Sequence, residues 1–128
     1  MWIMQDTNSE VSLFSFVEIP LFRKRWEEIG LNDDDLRRLQ LILLDNPEAG
    51  VMMQGTGGLR KIRFALQGKG KSGGARVCYV VFAEFEMIYL ITAFTKDEQD
   101  NLSQEEKNIL KKRIKELRDE TARRFGSK

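Results

Sequence analysis

The chain has 128 residues, 41% hydrophobic and 32% charged, the size and polarity of a single globular domain around one core. Its 21 Lys and Arg nearly cancel 20 Asp and Glu, leaving a net charge of +1, and it has no His and a single cysteine, Cys78. That composition excludes a Ser-His-Asp triad, a disulfide framework and an ordinary zinc site of Cys and His, so chemistry without a metal or other cofactor is expected.

No run of about 18 uninterrupted apolar residues occurs, and the first residues lack the basic flank and small-residue cleavage site of a signal peptide. The expectation is a cytoplasmic protein with no membrane partner. Residues 1–12 mix Trp2 and Ile3 with Asn, Ser and Asp without a sustained period and read as an irregular extension. Residues 13–128 then form the single domain. Leu13 to Ile19 is rich in aromatic and β-branched residues and stops at Pro20, which predicts a first strand running directly into a helix.

From Pro20 to Ile29, Phe22, Trp26 and Ile29 recur at helical spacing, and Gly30 follows where a left-handed terminating residue belongs. A second helix is predicted from Asn32, a capping residue, with Asp33, Asp34 and Asp35 at the positive end of its dipole. Leu36, Leu39, Ile42 and Leu43 form its expected buried stripe, and Asp45-Asn46-Pro47 ends it. These two helices read as a hairpin covering one face of a sheet.

After the glycines of Gly55-Thr56-Gly57-Gly58, the segment Leu59 to Leu66 alternates, with Ile62, Phe64 and Leu66 on one face and Lys61, Arg63 and Ala65 on the other. The Gly- and Lys-rich stretch from Gln67 to Gly74 is long enough for a wide hairpin loop. Ala75 to Phe82 and Met87 to Thr95 read as further strands around a short turn at Glu84-Phe85-Glu86. Ser103, three residues before Glu106, makes a capping box that opens a C-terminal helix with Ile109, Leu110, Ile114 and Leu117 on its apolar face. The predicted fold is α+β in the order β-α-α-β-β-β-α, with two N-terminal helices and a C-terminal helix packed on a mostly antiparallel sheet.

Near-neutrality hides a segregated field. Between Glu48 and Glu84 there is no acidic residue, whereas Arg60, Lys61, Arg63, Lys69, Lys71 and Arg76 all fall there. Lys61 and Arg63 project from one side of one strand about 6–7 Å apart, close to the spacing of successive nucleic-acid phosphates. Arg76, near the start of the next strand, and Lys96, just past the last, could converge on that surface. Taken alone, such a basic strand face is most often solvated charge. Gly70-Lys71-Ser72 is not a phosphate-cradling loop: Ala65 and Leu66 stand where its upstream glycine belongs, and a strand follows instead of a helix.

The ordered runs Gly58-Leu59-Arg60-Lys61-Ile62-Arg63-Phe64-Ala65, Gly68-Lys69-Gly70-Lys71-Ser72-Gly73-Gly74-Ala75-Arg76-Val77 and Phe94-Thr95-Lys96-Asp97-Glu98, with Asn101-Leu102-Ser103, resemble HigB toxins of the RelE/ParE superfamily. The likeness spans roughly the second half of the chain, and residues 1–12 lie outside it. It implies the RelE-like fold and the toxin of a type II toxin–antitoxin system, a metal-independent, ribosome-dependent mRNA endonuclease whose basic surface enters the ribosomal A site. In that chemistry the ribose 2′-oxygen attacks its adjacent phosphate, giving a 2′,3′-cyclic phosphate and a 5′-hydroxyl.

Carried over residue by residue, the resemblance implies a catalytic set of Lys61, Arg63, Arg76 and Lys96, with Arg60, Lys69 and Lys71 as further RNA contacts. Arg63 and Arg76 are expected to stabilise the phosphorane, since a guanidinium forks phosphate bidentately. Lys61 is expected as base and Lys96 as acid, the base role requiring clustered cations to favour a neutral amine once RNA closes the site. Leu102 stands near the position where RelE carries a tyrosine, so no tyrosine role is expected, and Tyr79 and Tyr89 are assigned to sheet packing. The implied partners are a cognate antitoxin of helix-turn-helix type, mRNA in the A site, and operator DNA only through the antitoxin complex. The basic sheet face and the C-terminal helix are candidate antitoxin surfaces. Two other readings stay open: a ParE-like inhibitor of DNA gyrase, and a non-enzymatic RNA-binding module.

Overall fold

The computed structural model describes residues 14–66, 74–96 and 101–126. Strand β1 (Ser15–Glu18) leads into helices α1 (Pro20–Ile29) and α2 (Asp33–Asp45). Strands β2 (Val51–Met52), β3 (Arg60–Phe64), β4 (Ala75–Phe82) and β5 (Met87–Thr95) follow, then helix α3 (Gln104–Thr121), which ends in a π-helical turn over Ala122–Gly126. The expected α+β architecture is present. No helix among the described residues is long and apolar enough to cross a membrane.

The sheet has five strands in the order β1-β5-β4-β3-β2. Three of its pairings are antiparallel, β2 with β3, β3 with β4 and β4 with β5, whereas β1 runs parallel to β5 with Ser15 opposite Met87. The two-residue strand β2 was not expected, because Val51 and Met52 are too few to show a period. A register shift between Cys78 and Tyr79 marks an irregularity in the β4–β5 pair. Both long strands match their expected bounds, and residues 67–73, where the wide hairpin loop was expected, lie outside the described residues. So do residues 1–13, including the irregular extension.

Each face of the sheet carries its own apolar layer. On the first, Phe22 and Trp26 of α1 and Leu36, Leu39 and Leu43 of α2 pack on Phe64, Val77, Tyr79, Ile88 and Leu90. On the second, Ile114 of α3, with Leu110 and Leu117 beside it, packs on Leu59, Cys78, Val80, Phe82, Tyr89, Ile91 and Phe94. Strand β4 sits at the centre of this sandwich and is buried along nearly its whole length. Two expected core residues lie outside: Ile42 is 38% and Ile109 58% exposed. Each is one position off its helix's stripe, which runs 36–39–43 in α2 and 110–114–117–121 in α3, where Thr121 is buried.

Local chemistry explains the helix ends. Gly30 closes α1 at φ 97°, a left-handed conformation that glycine adopts without a Cβ clash. Asn32 caps α2 through a reciprocal box with Asp35, and Ser103 does the same for α3 with Glu106. Tyr79 stitches the α2–β2 connection to the sheet: its hydroxyl donates to Pro47 O at 2.8 Å and accepts from Gly50 N at 2.8 Å. A Cβ on Gly50 would meet the Tyr79 ring at 2.9 Å, so this close approach requires glycine. Tyr89 donates to or accepts from Thr121 Oγ1 at 2.6 Å and ties β5 to the end of α3. Both tyrosines are structural.

Candidate functional site

Strand alternation decides which basic residues can work together. Ile62 and Phe64 face the α1–α2 layer, so Lys61 and Arg63 project from the opposite face, which α3 partly covers. In the register, Lys61 opposes Cys78 and Arg63 opposes Arg76. Arg76 is in turn paired with Phe94 of β5, whose ring belongs to the α3-side layer. Three predicted site residues, Lys61, Arg63 and Arg76, therefore share one face of two adjacent strands. Directly opposed side chains begin about 5 Å apart, and Lys61 and Arg63 lie about 6–7 Å apart along the strand.

These cations differ in exposure. Arg63 is open to solvent, while Arg76 is only 4% exposed and forms part of the floor. Arg63 has no ion pair among the described residues. Lys61 Nζ donates to Asn101 Oδ1 at 2.8 Å, a link between β3 and the residue just ahead of α3 that no local sequence pattern announces. Lys96 is exposed in the turn that follows Thr95, two positions beyond Phe94 at the same end of the sheet. Among the described residues it too has no ion pair.

The remaining predicted contacts divide. Arg60 projects from the opposite face to Lys61, and its Nη1 donates to Gly50 O at 2.8 Å and Glu48 O at 3.4 Å, bracing the chain between α2 and β2. The structure thus places it apart from the other three. Lys69 and Lys71 lie outside the described residues.

Cys78 lies beside Lys61 on the neighbouring strand. Burial pushes its thiol up to about 12, a trend that Lys61 opposes and Glu106 reinforces. At neutral pH it stays an uncharged, inert part of the floor, not a nucleophile. Among the described residues no grouping of Cys, Asp and Glu is gathered to hold a metal ion. What the surface offers is positive charge, which suits an anionic phosphodiester. Leu102, 9% exposed, packs in the α3-side layer and supplies no polar group. An apolar groove of about 310 Å³ borders this end, with Leu21 and Ile109 on its lips and Phe94 and Leu102 among its lining.

Comparison with known proteins adds a family. A family model described as the RelE toxin of the RelE/RelB toxin–antitoxin system matches residues 22–126. Among solved structures, the chain is similar to a double arginine-to-alanine mutant of the E. coli toxin RelE in the free state, at 18% identity over 67% of this chain and 86% of that one, with a TM-score of 0.48. It is similar to the intact E. coli RelBE toxin–antitoxin complex at 21% identity, over 64% of this chain and 95% of that one, with a TM-score of 0.47. The isolated E. coli RelE toxin matches at 19% identity over 81% and 98% of the two chains, also with a TM-score of 0.47.

Proposed function

This chain belongs to the RelE toxin family, and from that premise we propose that it is a HigB-type endoribonuclease that cuts messenger RNA in the ribosomal A site and is held inactive by a cognate antitoxin. One observation carries the reading: Arg63 and Arg76 stand directly opposite each other on the face that also bears Lys61. Directly opposed side chains begin about 5 Å apart, so both guanidiniums are within reach of one phosphate, which each can fork.

In the reaction, Lys61 takes the proton of a ribose 2′-hydroxyl, and the 2′-oxygen attacks the adjacent phosphorus. Arg63 forks the non-bridging oxygens as negative charge builds on the phosphorane, and Arg76 adds its field from the floor. Lys96 gives its proton to the departing 5′-oxygen. The P–O5′ bond breaks, leaving a 2′,3′-cyclic phosphate and a 5′-hydroxyl, and solvent resets the two lysines. No step needs a metal ion. The antitoxin proposed is of helix-turn-helix type, with operator DNA bound only through the toxin–antitoxin complex. Lys69 and Lys71 are proposed as further RNA contacts in the same basic segment.

Primer extension on mRNA in a reconstituted translation system tests this, comparing the wild type with Arg63→Ala and Arg76→Ala at equal folded concentration. Ribosome-dependent cuts at A-site codons that vanish in both variants are the expected result. A folded, antitoxin-free wild type that leaves mRNA whole overturns the reading.

A further inference from the structure

Helix α3 carries a stripe of cations that the cleavage step does not use. Lys107, Lys111, Lys115 and Arg118 recur at i, i+4, i+8 and i+11, so they line one flank of the helix, about 4.5–6 Å apart along its axis. The carboxylates of the helix, Glu105, Glu106, Glu116, Asp119 and Glu120, fall outside that flank. Lys115 pairs with Asp119 at 3.0 Å and Arg118 with Glu84 at 2.8 Å, whereas Lys107 and Lys111 have no ion pair among the described residues.

Two contacts fix where this flank points. Just ahead of α3 the Lys61–Asn101 hydrogen bond joins the chain to β3, and further along the helix Lys111 stands beside Gly57, where an added Cβ would lie 3.6 Å from Lys111 Cγ. Helix α3 therefore runs antiparallel to β3, and a seam opens between its cationic flank and the β2–β3 connection. The seam encloses about 520 Å³, with Gly57, Lys111, Ile114, Lys115 and Arg118 among its lining. Its far wall brings no negative charge, since residues 49–64 contain no Asp or Glu. No aromatic side chain lines it among the described residues, so it offers a polymer's backbone charge and no stacking platform for bases. A channel with one cationic and one uncharged wall, leading away from Lys61, fits a polyanion, and the step between its cations is close to that between successive phosphates of a nucleic-acid strand. Resting on the RNase reading, we propose that this seam is a track for the single-stranded phosphate backbone of the message beside the cut.

The experiment has a binding arm and a cleavage arm. A fluorescent RNA of about 12 nucleotides, with 2′-O-methyl ribose throughout so that it stays uncut, is titrated with the wild type, with Lys111→Ala/Lys115→Ala, and with Lys24→Ala/Arg37→Ala. The last removes the same charge from α1 and α2, and all four side chains are exposed, so both variants should fold. Losing two phosphate contacts is expected to make the dependence of log Kd on log salt shallower by about 1.4 and to weaken binding about 10- to 30-fold at about 0.1 M salt, in the α3 variant and not in its control. In single-turnover cleavage of ribosome-bound message, the α3 variant is expected to need about 10-fold more toxin for half-maximal rate and to reach the wild-type rate at saturation. Equal salt slopes in the two variants overturn the proposal, because the stripe then acts only through net charge. Weakened cleavage with an unchanged oligonucleotide slope also overturns it and assigns the seam to RNA of the ribosome. Neither result touches the RNase reading, which stands as long as the wild type cuts. A wild type that leaves the message whole overturns that reading first, and this proposal with it.

Discussion

Replacing Arg63 by Gln should stabilise the protein while disabling it. Arg63 is exposed, has no ion pair among the described residues, and stands directly opposite the buried Arg76. Opposed side chains begin about 5 Å apart, and unit charges about 5–10 Å apart repel by about 0.4–0.8 kcal/mol in water-like surroundings. Gln retains part of the aliphatic stem, so little packing is lost, and the net gain is about 0.4–0.8 kcal/mol. For a domain of this size that raises the melting temperature by about 2–5 °C. Differential scanning calorimetry at low ionic strength reads the shift, and repetition in about 1 M NaCl should abolish most of it, because screening there acts over about 3 Å. Cleavage should fall about 100- to 1,000-fold in the same variant, the scale of losing one donor to a developing oxyanion. A melting temperature lowered by more than about 2 °C, or a gain indifferent to salt, would refute the view that Arg63 and Arg76 are held against their mutual repulsion.

Two further outcomes follow from buried groups. Tyr79→Phe leaves Pro47 O and Gly50 N without the hydroxyl that joins them, at 2.8 Å each, and should cost about 2–3 kcal/mol in urea unfolding; a loss under about 0.5 kcal/mol would mean that the α2–β2 connection is held by other contacts. The Cys78 thiol, raised by burial from 9.0 to about 12, is neutral in the folded state while the unfolded chain ionises near its ordinary value. Its contribution to stability is therefore complete below about pH 9 and is lost as pH rises toward 12, so the alkaline slope of stability against pH should flatten in Cys78→Ala. Iodoacetamide should leave Cys78 unmodified at about pH 8 until the protein unfolds; rapid modification of the native protein would contradict its burial.

Where a signal is local, the structure and the sequence agree closely. Gly30 ends α1, Asn32 and Ser103 open α2 and α3 with reciprocal caps, and the dense β-branched and aromatic runs give β4 and β5 their observed bounds. Alternation in β3 separates Lys61 and Arg63 from Ile62 and Phe64. Tertiary features were harder to see. The parallel pairing of β1 with β5 depends on a partner some seventy residues away, and Val51–Met52 joins the sheet only because β3 offers it an edge. Burial of Arg76 follows from β4 being covered on both faces, which a charged residue near a strand start does not reveal. Arg60 looked like one more member of a basic run, yet a one-residue step along a strand sends it to the opposite face. Ile42 and Ile109 show that a stripe's width cannot be read from apolar residues alone. The tether from Lys61 to Asn101 carries no pattern in the chain.

The most direct measurement uses ribosomes programmed with a short mRNA whose A-site codon carries either ribose throughout or a single 2′-deoxy nucleotide at the cut position, with end-group analysis of the products. The account predicts that the all-ribose message is cut to a 2′,3′-cyclic phosphate and a 5′-hydroxyl, and that the 2′-deoxy message stays whole. Cutting of the 2′-deoxy message, products with a 5′-phosphate, or an intact all-ribose message would contradict it.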